Sequence, residues 1–262
     1  MDLRLKNKTV VVLAASSGIG RGVATELTRE GATVILFGRS EERLKKAQKE
    51  IANDAGNEPD YFLVDLTDAR QIEQGIQKTI EKYGAIYALF NNTGGPKAGT
   101  FENFSDQDWV QAFELTLLSY VRTIRAVLPA MKANQGGRIV NNASSSVKQV
   151  IDHLILSNTF RMGIAGLSKS LARELAPYNI LVNVVGAGKI ATDRVRQLDR
   201  LKAEQEGITL EQFQQKNAAR IPVGRYGSID EIGRLVAFLC SPANTYVTGQ
   251  TILVDGAMST AY

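Results

Sequence analysis

Residues that staple small folds or hold metals are nearly missing from this chain. Cys240 is the one cysteine among 262 residues, so an internal disulfide is excluded. It lies in an apolar helical run, Leu235-Val236-Ala237-Phe238-Leu239, which predicts a buried, inert thiol in a reducing setting. His153 is the one histidine, and no metal site is expected. Long apolar runs are missing too. The longest early one, residues 10–15, is far too short to cross a bilayer, and residues 1–8 carry no apolar signal core. No block of one charge sign occurs, because 31 basic and 27 acidic residues are interspersed for a net charge of +4. Nucleic acid and anionic membranes are therefore not expected partners, and a soluble cytoplasmic protein is. A chain this long can bury roughly 70–75% of its unfolded surface. One domain over residues 1–262 is expected, since α/β folds of this size are often single.

What the chain does have is rhythm. Short β-branched runs at 9–13, 33–37, 61–64, 86–90, 138–142, 180–185 and 251–254 alternate with helical patterns at 41–53, 69–83, 106–132, 158–176 and 230–239. A further helix follows the first strand and ends at Gly31. Alternation of this kind predicts an α/β fold: a Rossmann-like, doubly wound parallel sheet with helices on both faces. Residues 191–225 fall outside the rhythm. They are charged and partly helical, and read equally as a lid over a site or as a solvated insertion.

After the first strand comes Ala14-Ala15-Ser16-Ser17-Gly18-Ile19-Gly20. Glycine lets a backbone approach a pyrophosphate, and the following helix N-terminus supplies amide donors and partial positive charge. A tight turn without a ligand is the alternative. The second strand ends in Gly38-Arg39-Ser40. An acidic residue there would pair with a ribose 2′-hydroxyl, whereas arginine matches a 2′-phosphate, so NADP(H) is preferred over NAD(H). A solvated arginine opening a charged helix is the competing reading.

Other segments carry a wider resemblance. The turn resembles Thr-Gly-x-x-x-Gly-x-Gly, with Leu13 for the threonine and Ala14 for the first glycine. Val64-Asp65-Leu66 and Asn91-Asn92-Thr93-Gly94 follow in register, then Gly136–Ser145, Gly163–Leu175, Val182–Asp193, Ile221–Arg225 and Val247–Gly256. Together they resemble the short-chain dehydrogenase/reductase family over essentially the whole chain, nearest to its 3-oxoacyl-acyl-carrier-protein reductases. That resemblance implies an oxidoreductase acting on a small carbonyl or alcohol. It implies NADP(H) contacts at Ser16, Ser17, Gly18, Ile19 and Gly20, at Arg39 and Ser40, at Asp65 and Leu66, at Asn92, Thr93 and Gly94, and at Arg161, Ile190 and Thr192. It also implies a homotetramer or homodimer paired through long helices and C-terminal strands.

The same alignment puts unusual residues at the catalytic positions. The family tyrosine falls on Ser157, its lysine on Arg161 and its asparagine on Thr116, while its serine falls on Ser144. A phenol with a pKa near 10 is tuned toward neutrality by a nearby cation, whereas a serine hydroxyl is shorter and far less acidic. Arginine keeps a charge for ribose hydroxyls but does not shuttle protons. Threonine lacks the amide that organises a relay water. His153, in the loop before Ser157, has a suitable pKa for a replacement acid, against the ordinary reading of a packing or surface histidine. Lys148 is a further candidate, and Asp193, Arg194 and Arg196 are candidate substrate contacts. Ala187 stands for a family proline and predicts a less rigid loop on the nicotinamide side. Three readings stay open: an NADP(H)-dependent oxidoreductase with another proton source, a silent nucleotide-binding or scaffold protein, and a non-redox enzyme reusing the cleft.

Overall fold

The computed structural model describes residues 1–261. Seven parallel strands form one sheet: β1 (Thr9–Leu13), β2 (Thr33–Gly38), β3 (Asp60–Leu63), β4 (Ala88–Asn91), β5 (Gly137–Ser144), β6 (Ile180–Ala187) and β7 (Thr251–Val254). Their order across the sheet is β3-β2-β1-β4-β5-β6-β7. The chain runs outward from β1 in one direction, returns, and builds the other half from β4. Between β1 and β4 the connections therefore diverge, and a crevice opens at the strands' C-terminal ends, the usual ligand site of such sheets.

The sequence dictates this arrangement through a period of two. In β1, Val10 and Val12 face one layer, while Val11 and Leu13 face the other. The first layer holds α1 (Gly18–Arg29), α2 (Glu41–Ala55) and α9 (Ile229–Leu239), which contribute Val23, Leu27, Leu44, Ile51, Ile232 and Val236. The second holds α3 (Ala69–Tyr83), α5 (Ser119–Ala133) and α6 (Ile155–Leu175), with Ile72, Ile76, Ile124, Val127 and Leu175. Each such side chain, fully buried, contributes about 1.5–3 kcal/mol. On the first face α1 and α9 cross in close contact. A Cβ on Gly22 would lie 2.6 Å from Ile229, and one on Gly233 would lie 2.9 Å from the Gly22 carbonyl.

Two regions depart from the expected pattern. The helix expected over 106–132 is α4 (Asp106–Phe113) joined to α5 through one π-helical turn, Glu114–Leu118, which contains Thr116. Nothing in the local sequence marks that turn, and such bulges often sit beside functional sites. Residues 191–225 form α7 (Asp193–Glu206) and α8 (Leu210–Ala218), whose N-termini are capped by Thr192 and Thr209. Ala187, expected in a loop, is instead the last residue of β6, in register with Ser144 on one side and Val254 on the other.

Candidate active site

Apart from Arg161, which lies on α6, the implied cofactor contacts gather along the C-terminal edge of the sheet, because each follows a strand end. The chain leaves β1 with Ala14 at φ +47, a left-handed conformation that glycine adopts freely and alanine adopts at a cost. Gly18 is also left-handed, at φ +56. At Gly20 no side chain fits, since a Cβ would lie 2.4 Å from the Ala14 carbonyl and 2.9 Å from Asn92 Nδ2. Ser17 stands at the N-cap of α1 without a capping hydrogen bond, and the first turn holds no acidic residue. The helix's leading amides thus face the crevice unneutralised, which suits an anion. Arg39 extends from the end of β2 with its side chain 73% exposed, loosely paired with Asp65 at 3.9 Å. Ser40 caps α2 by accepting from Arg43 N–H at 3.4 Å.

The crevice floor is a buried chain of amides. Asn92 Nδ2 donates to the Leu13 carbonyl at 3.3 Å, and Asn142 Nδ2 donates to Asn92 Oδ1 at 2.8 Å. Below it, Asn91 Nδ2 donates to Asn141 Oδ1 at 2.7 Å, and Thr123 Oγ1 donates to Asn91 Oδ1 at 2.6 Å. These bonds lock the ends of β1, β4 and β5 together and so fix the width of the crevice. Gly94 and Gly95 follow with open space where a side chain would stand. On the far side Ile190 is buried and Thr192 faces Gly18, its methyl 3.4 Å from where a Cβ would lie. A cleft of about 710 Å³ continues between α1 and α7–α8, bounded by Gly18, Arg21, Thr192, Arg196, Thr209 and Tyr226. A groove of about 790 Å³ near Gly31, Asp60 and Tyr83 lies at the opposite edge of the sheet, away from all of these residues.

The four aligned catalytic positions take up different surroundings. Ser144 ends β5, where its Oγ accepts from Ser146 N–H at 3.1 Å. Ser157 lies half-buried in the first turn of α6. Thr116 is fully buried, and its hydroxyl has no partner among the described residues. Arg161 is only 5% exposed. Its Nη1 donates to the Asn142 carbonyl at 2.8 Å and to the Tyr120 hydroxyl at 3.3 Å. Tyr120, itself buried, donates to that same carbonyl at 2.9 Å. Burial pushes its phenol above the ordinary value, against the opposing pull of the Arg161 guanidinium.

His153 is exposed and holds φ +61, and its carbonyl accepts from Gly99 N–H at 2.7 Å. This bond ties the loop after β4 to the loop before α6. Asn158 Nδ2, donating to the Ile151 carbonyl at 2.9 Å, holds that second loop to the helix. Lys148 is exposed just after the 3₁₀ turn that follows Ser144. Arg194 reaches across from α7 and donates to the Pro96 carbonyl at 3.3 Å, while Asp193 and Arg196 lie exposed beside it.

Sequence reasoning missed two parts of this region. One is Tyr120 with Asn142, although Asn-Asn at the ends of both β4 and β5 was a visible signal. The other is a clasp on α7. Asp199, wholly buried, accepts from Lys189 Nζ at 3.1 Å and from the Tyr226 hydroxyl at 2.9 Å. Burial, and then the Asp199 carboxylate, raise the Tyr226 phenol well above its ordinary value. The clasp fastens α7 to the loop carrying Ile190 and Thr192, which also pairs with the chain at Gly227.

Known proteins share this architecture. The family model described as enoyl-(acyl carrier protein) reductase matches residues 13–259. The 3-oxoacyl-[acyl-carrier-protein] reductase FabG of Aquifex aeolicus is 34% identical, covering 98% of this chain and 100% of its own. L-sorbose reductase from Gluconobacter frateurii, solved with NADPH and L-sorbose, superposes with a TM-score of 0.94 at 28% identity over 100% of both chains. A variant of the actinorhodin polyketide ketoreductase, solved with NADPH, superposes with a TM-score of 0.92 at 32% identity over 97% of each. From a family match over nearly its whole length and this shared architecture, the chain belongs to the short-chain dehydrogenase/reductase family of oxidoreductases.

Proposed function

We propose that this protein is an NADP(H)-dependent oxidoreductase of a small carbonyl or alcohol whose proton does not come from the family's tyrosine–lysine pair. The observation that carries the cofactor reading is Arg39, exposed at the tip of β2 beside a turn too tight for any Cβ at Gly20. Residues present fit the cofactor. Ser16 to Gly20 would hold the pyrophosphate, Arg39 and Ser40 the 2′-phosphate, and Asp65 and Leu66 the adenine. Asn92, Thr93 and Gly94 would border the nicotinamide ribose, and Ile190 and Thr192 the ring. When bound, the cofactor supplies the hydride. The chain's own part is to orient the substrate oxygen, for which Ser144 and Ser157 offer hydroxyls. It must also move one proton. We assign that proton's exchange with solvent to His153, supported by its exposure in the loop before α6. The helices α7 and α8 act as a lid, supported by the Arg194 bond to Pro96 across the opening.

One observation favours a second reading, a catalytically silent nucleotide-binding protein. Arg161 spends Nη1 on the interior, at Asn142 and Tyr120, rather than on the cleft. Calorimetric titration with NADPH and NADH decides the first question. NADPH is expected to bind more tightly, and no binding of either at millimolar concentration would sink the oxidoreductase reading. Ser157→Tyr with Arg161→Lys decides the second. This pair is expected to raise reduction of a 3-oxoacyl thioester by about 10²–10⁴, the usual worth of a positioned acid. Ordinary turnover by the unaltered chain would refute our reading of these positions.

We also propose a homo-oligomer, supported by apolar side chains exposed on α4 and α6. Val110 is 49% exposed and Met162 52% exposed, with Phe113 beside them and open space at Gly166. Light scattering at micromolar concentration tests it, and a monomer would refute it. A cytoplasmic setting is supported by the buried free thiol of Cys240. Among the described residues no helix is long and apolar enough to cross a membrane.

A further inference from the structure

We propose that Asp199 is a positioning residue for the cofactor: its carboxylate fixes residues 188–192, and through them the nicotinamide half of NADP(H) but not the adenosine half. This rests on reading the cleft as the NADP(H) site. Helix α7 opens Asp193-Arg194-Val195-Arg196-Gln197-Leu198-Asp199-Arg200, the composition of a solvated surface, yet Asp199 is wholly buried. Burying a carboxylate is costly, and an apolar side chain of similar volume often anchors an element as well or better. What a carboxylate adds is direction, because a satisfied polar network holds its members in one geometry. Here the members are Lys189 Nζ at 3.1 Å and the Tyr226 hydroxyl at 2.9 Å.

Both donors adjoin one backbone ladder. Lys189 precedes Ile190 and Tyr226 precedes Gly227, and Ile190 and Gly227 form a parallel bridge. Gly227 N–H donates to the Lys189 carbonyl at 2.9 Å, and Ala191 N–H donates to the Gly227 carbonyl at 2.8 Å. A Cβ on Gly227 would lie 2.9 Å from Ile190 Cδ1, so the isoleucine is packed onto this backbone. One carboxylate thus grips both sides of the ladder, with Lys189 Nζ 5.8 Å from the centre of the Tyr226 ring. At the far end of the segment Thr192 begins α7, its Oγ1 accepting from Val195 N–H at 3.3 Å. Asp199 stands about two helical turns further on, on the same face of α7 as Thr192. The ion pair therefore ties residue 189 back to the helix that residue 192 caps, and closes the segment into a ring. Ala191 and Thr192 line the cleft of about 710 Å³ together with Gly18, so the held segment is one that a ligand can touch. The adenosine end of the site, at Arg39, Ser40 and Asp65, follows β2 and β3 and shares no bond with this clasp.

The test uses the full chain with two ligands, NADPH and adenosine 2′,5′-bisphosphate, which carries the adenine and the 2′-phosphate but no nicotinamide. Calorimetry compares the parent with Asp199→Ala. An apparent dissociation constant rises by the reciprocal of the fraction of chains that hold the segment in place, so a fraction of about one tenth weakens NADPH about tenfold and should move the bisphosphate less than about twofold. Destabilising a chain that stays folded moves neither constant, so the ratio of the two separates positioning from stability. Amide exchange supplies a second reading. The Ala191 and Gly227 N–H groups should exchange faster in Asp199→Ala and regain protection when NADPH is added. Asp199→Ala combined with Lys189→Met leaves no orphaned charge and should show the same loss. Tyr226→Phe removes one arm and should show part of it, so the idea stays testable if Asp199→Ala alone does not fold. Equal weakening of both ligands, unchanged NADPH binding in the folded variants, or unchanged exchange at residue 191 would each overturn the proposal. NADPH binding that the variants do not alter removes the positioning role and leaves the cofactor reading standing. No binding of NADPH by the parent removes both.

Discussion

Ala14→Gly tests the cradle through the sign of its effect. Ala14 sits at φ +47 directly after β1, and its carbonyl closes over Gly20. Left-handed backbone costs an L-residue about 1–2 kcal/mol, and glycine removes that cost. Glycine also gives the unfolded chain more freedom, which opposes the gain by about 0.5–1 kcal/mol. Ala14 is only half-buried, so little apolar contact is lost with its methyl. The net is a stabilisation of about 0.5–1 kcal/mol. With an unfolding entropy of about 2.1 cal/mol/K per residue, a chain of this size gains about 1–2 °C in Tm. Thermal unfolding and urea titration of parent and variant measure it. An alanine in ordinary helix or strand would respond in the opposite direction, losing up to about 1 kcal/mol. A fall in Tm of about 2 °C or more would therefore show that Ala14 is not strained and that the turn is not the cradle described above.

Three more outcomes follow from the same geometry. Asp199→Ala should destabilise the chain by about 2–3 kcal/mol, below the full value for a buried pair because Lys189 keeps 29% of its side chain in solvent. Urea titration measures it, and a loss under about 0.5 kcal/mol would mean that the clasp does not hold α7. Stability should also fall as pH drops from about 4.5 toward 2. Arg225, then the Ser228 N–H, hold Glu231 down from 4.5 to about 2. Lys97, then Ser105, hold Asp108 down from 3.8 to about 2. Lowered carboxylates stabilise the fold above their ordinary pKa and lose that contribution as pH falls through the folded value, so Glu231→Gln should flatten this acid limb in pH-dependent melting. Cys240 should resist an aromatic disulfide reagent in the native protein and react fully in denaturant, because burial pushes its thiol up to about 12. Prompt native labelling would contradict its placement.

The fold was legible because its determinants are local. A strand such as Thr9–Leu13 is apolar on both faces, which only a sheet covered on both sides requires, and Gly31, left-handed at φ +81, ends the first helix where a glycine is needed. The phosphate turn was legible for the same reason, its parts being consecutive in the chain. The π-helical turn was not, since Glu114-Leu115-Thr116-Leu117-Leu118 has the composition of plain helix and Pro129 further on breaks nothing. The contacts around Arg161 were hidden by distance in sequence: Tyr120 is 41 residues away. Asp199 was hidden by its company. It lies in a helix of charged residues that reads as solvated, and only the fold brings Lys189 and Tyr226 against it.

Under the proposed reading the replacements around α6 form one set rather than separate losses. A lysine at 161 would place a point charge wherever its flexible stem allowed, whereas the arginine is a rigid fork that must find acceptors in its plane. Asn142 and Tyr120 provide them on one side, and the buried phenol is held there by its own bond to the same carbonyl. Turned this way, the guanidinium no longer lies free beside residue 157 to lower a phenol's pKa. A tyrosine restored at Ser157 alone would therefore keep a pKa near its ordinary 10 and remain a poor acid at neutral pH. Lysine restored at Arg161 alone would replace the fork on Tyr120 and Asn142 with a point charge and return nothing acidic to the cleft. Recovery of family-type turnover thus requires both changes together, with Thr116→Asn a further gain, and the single changes should each fall short by more than their separate effects predict.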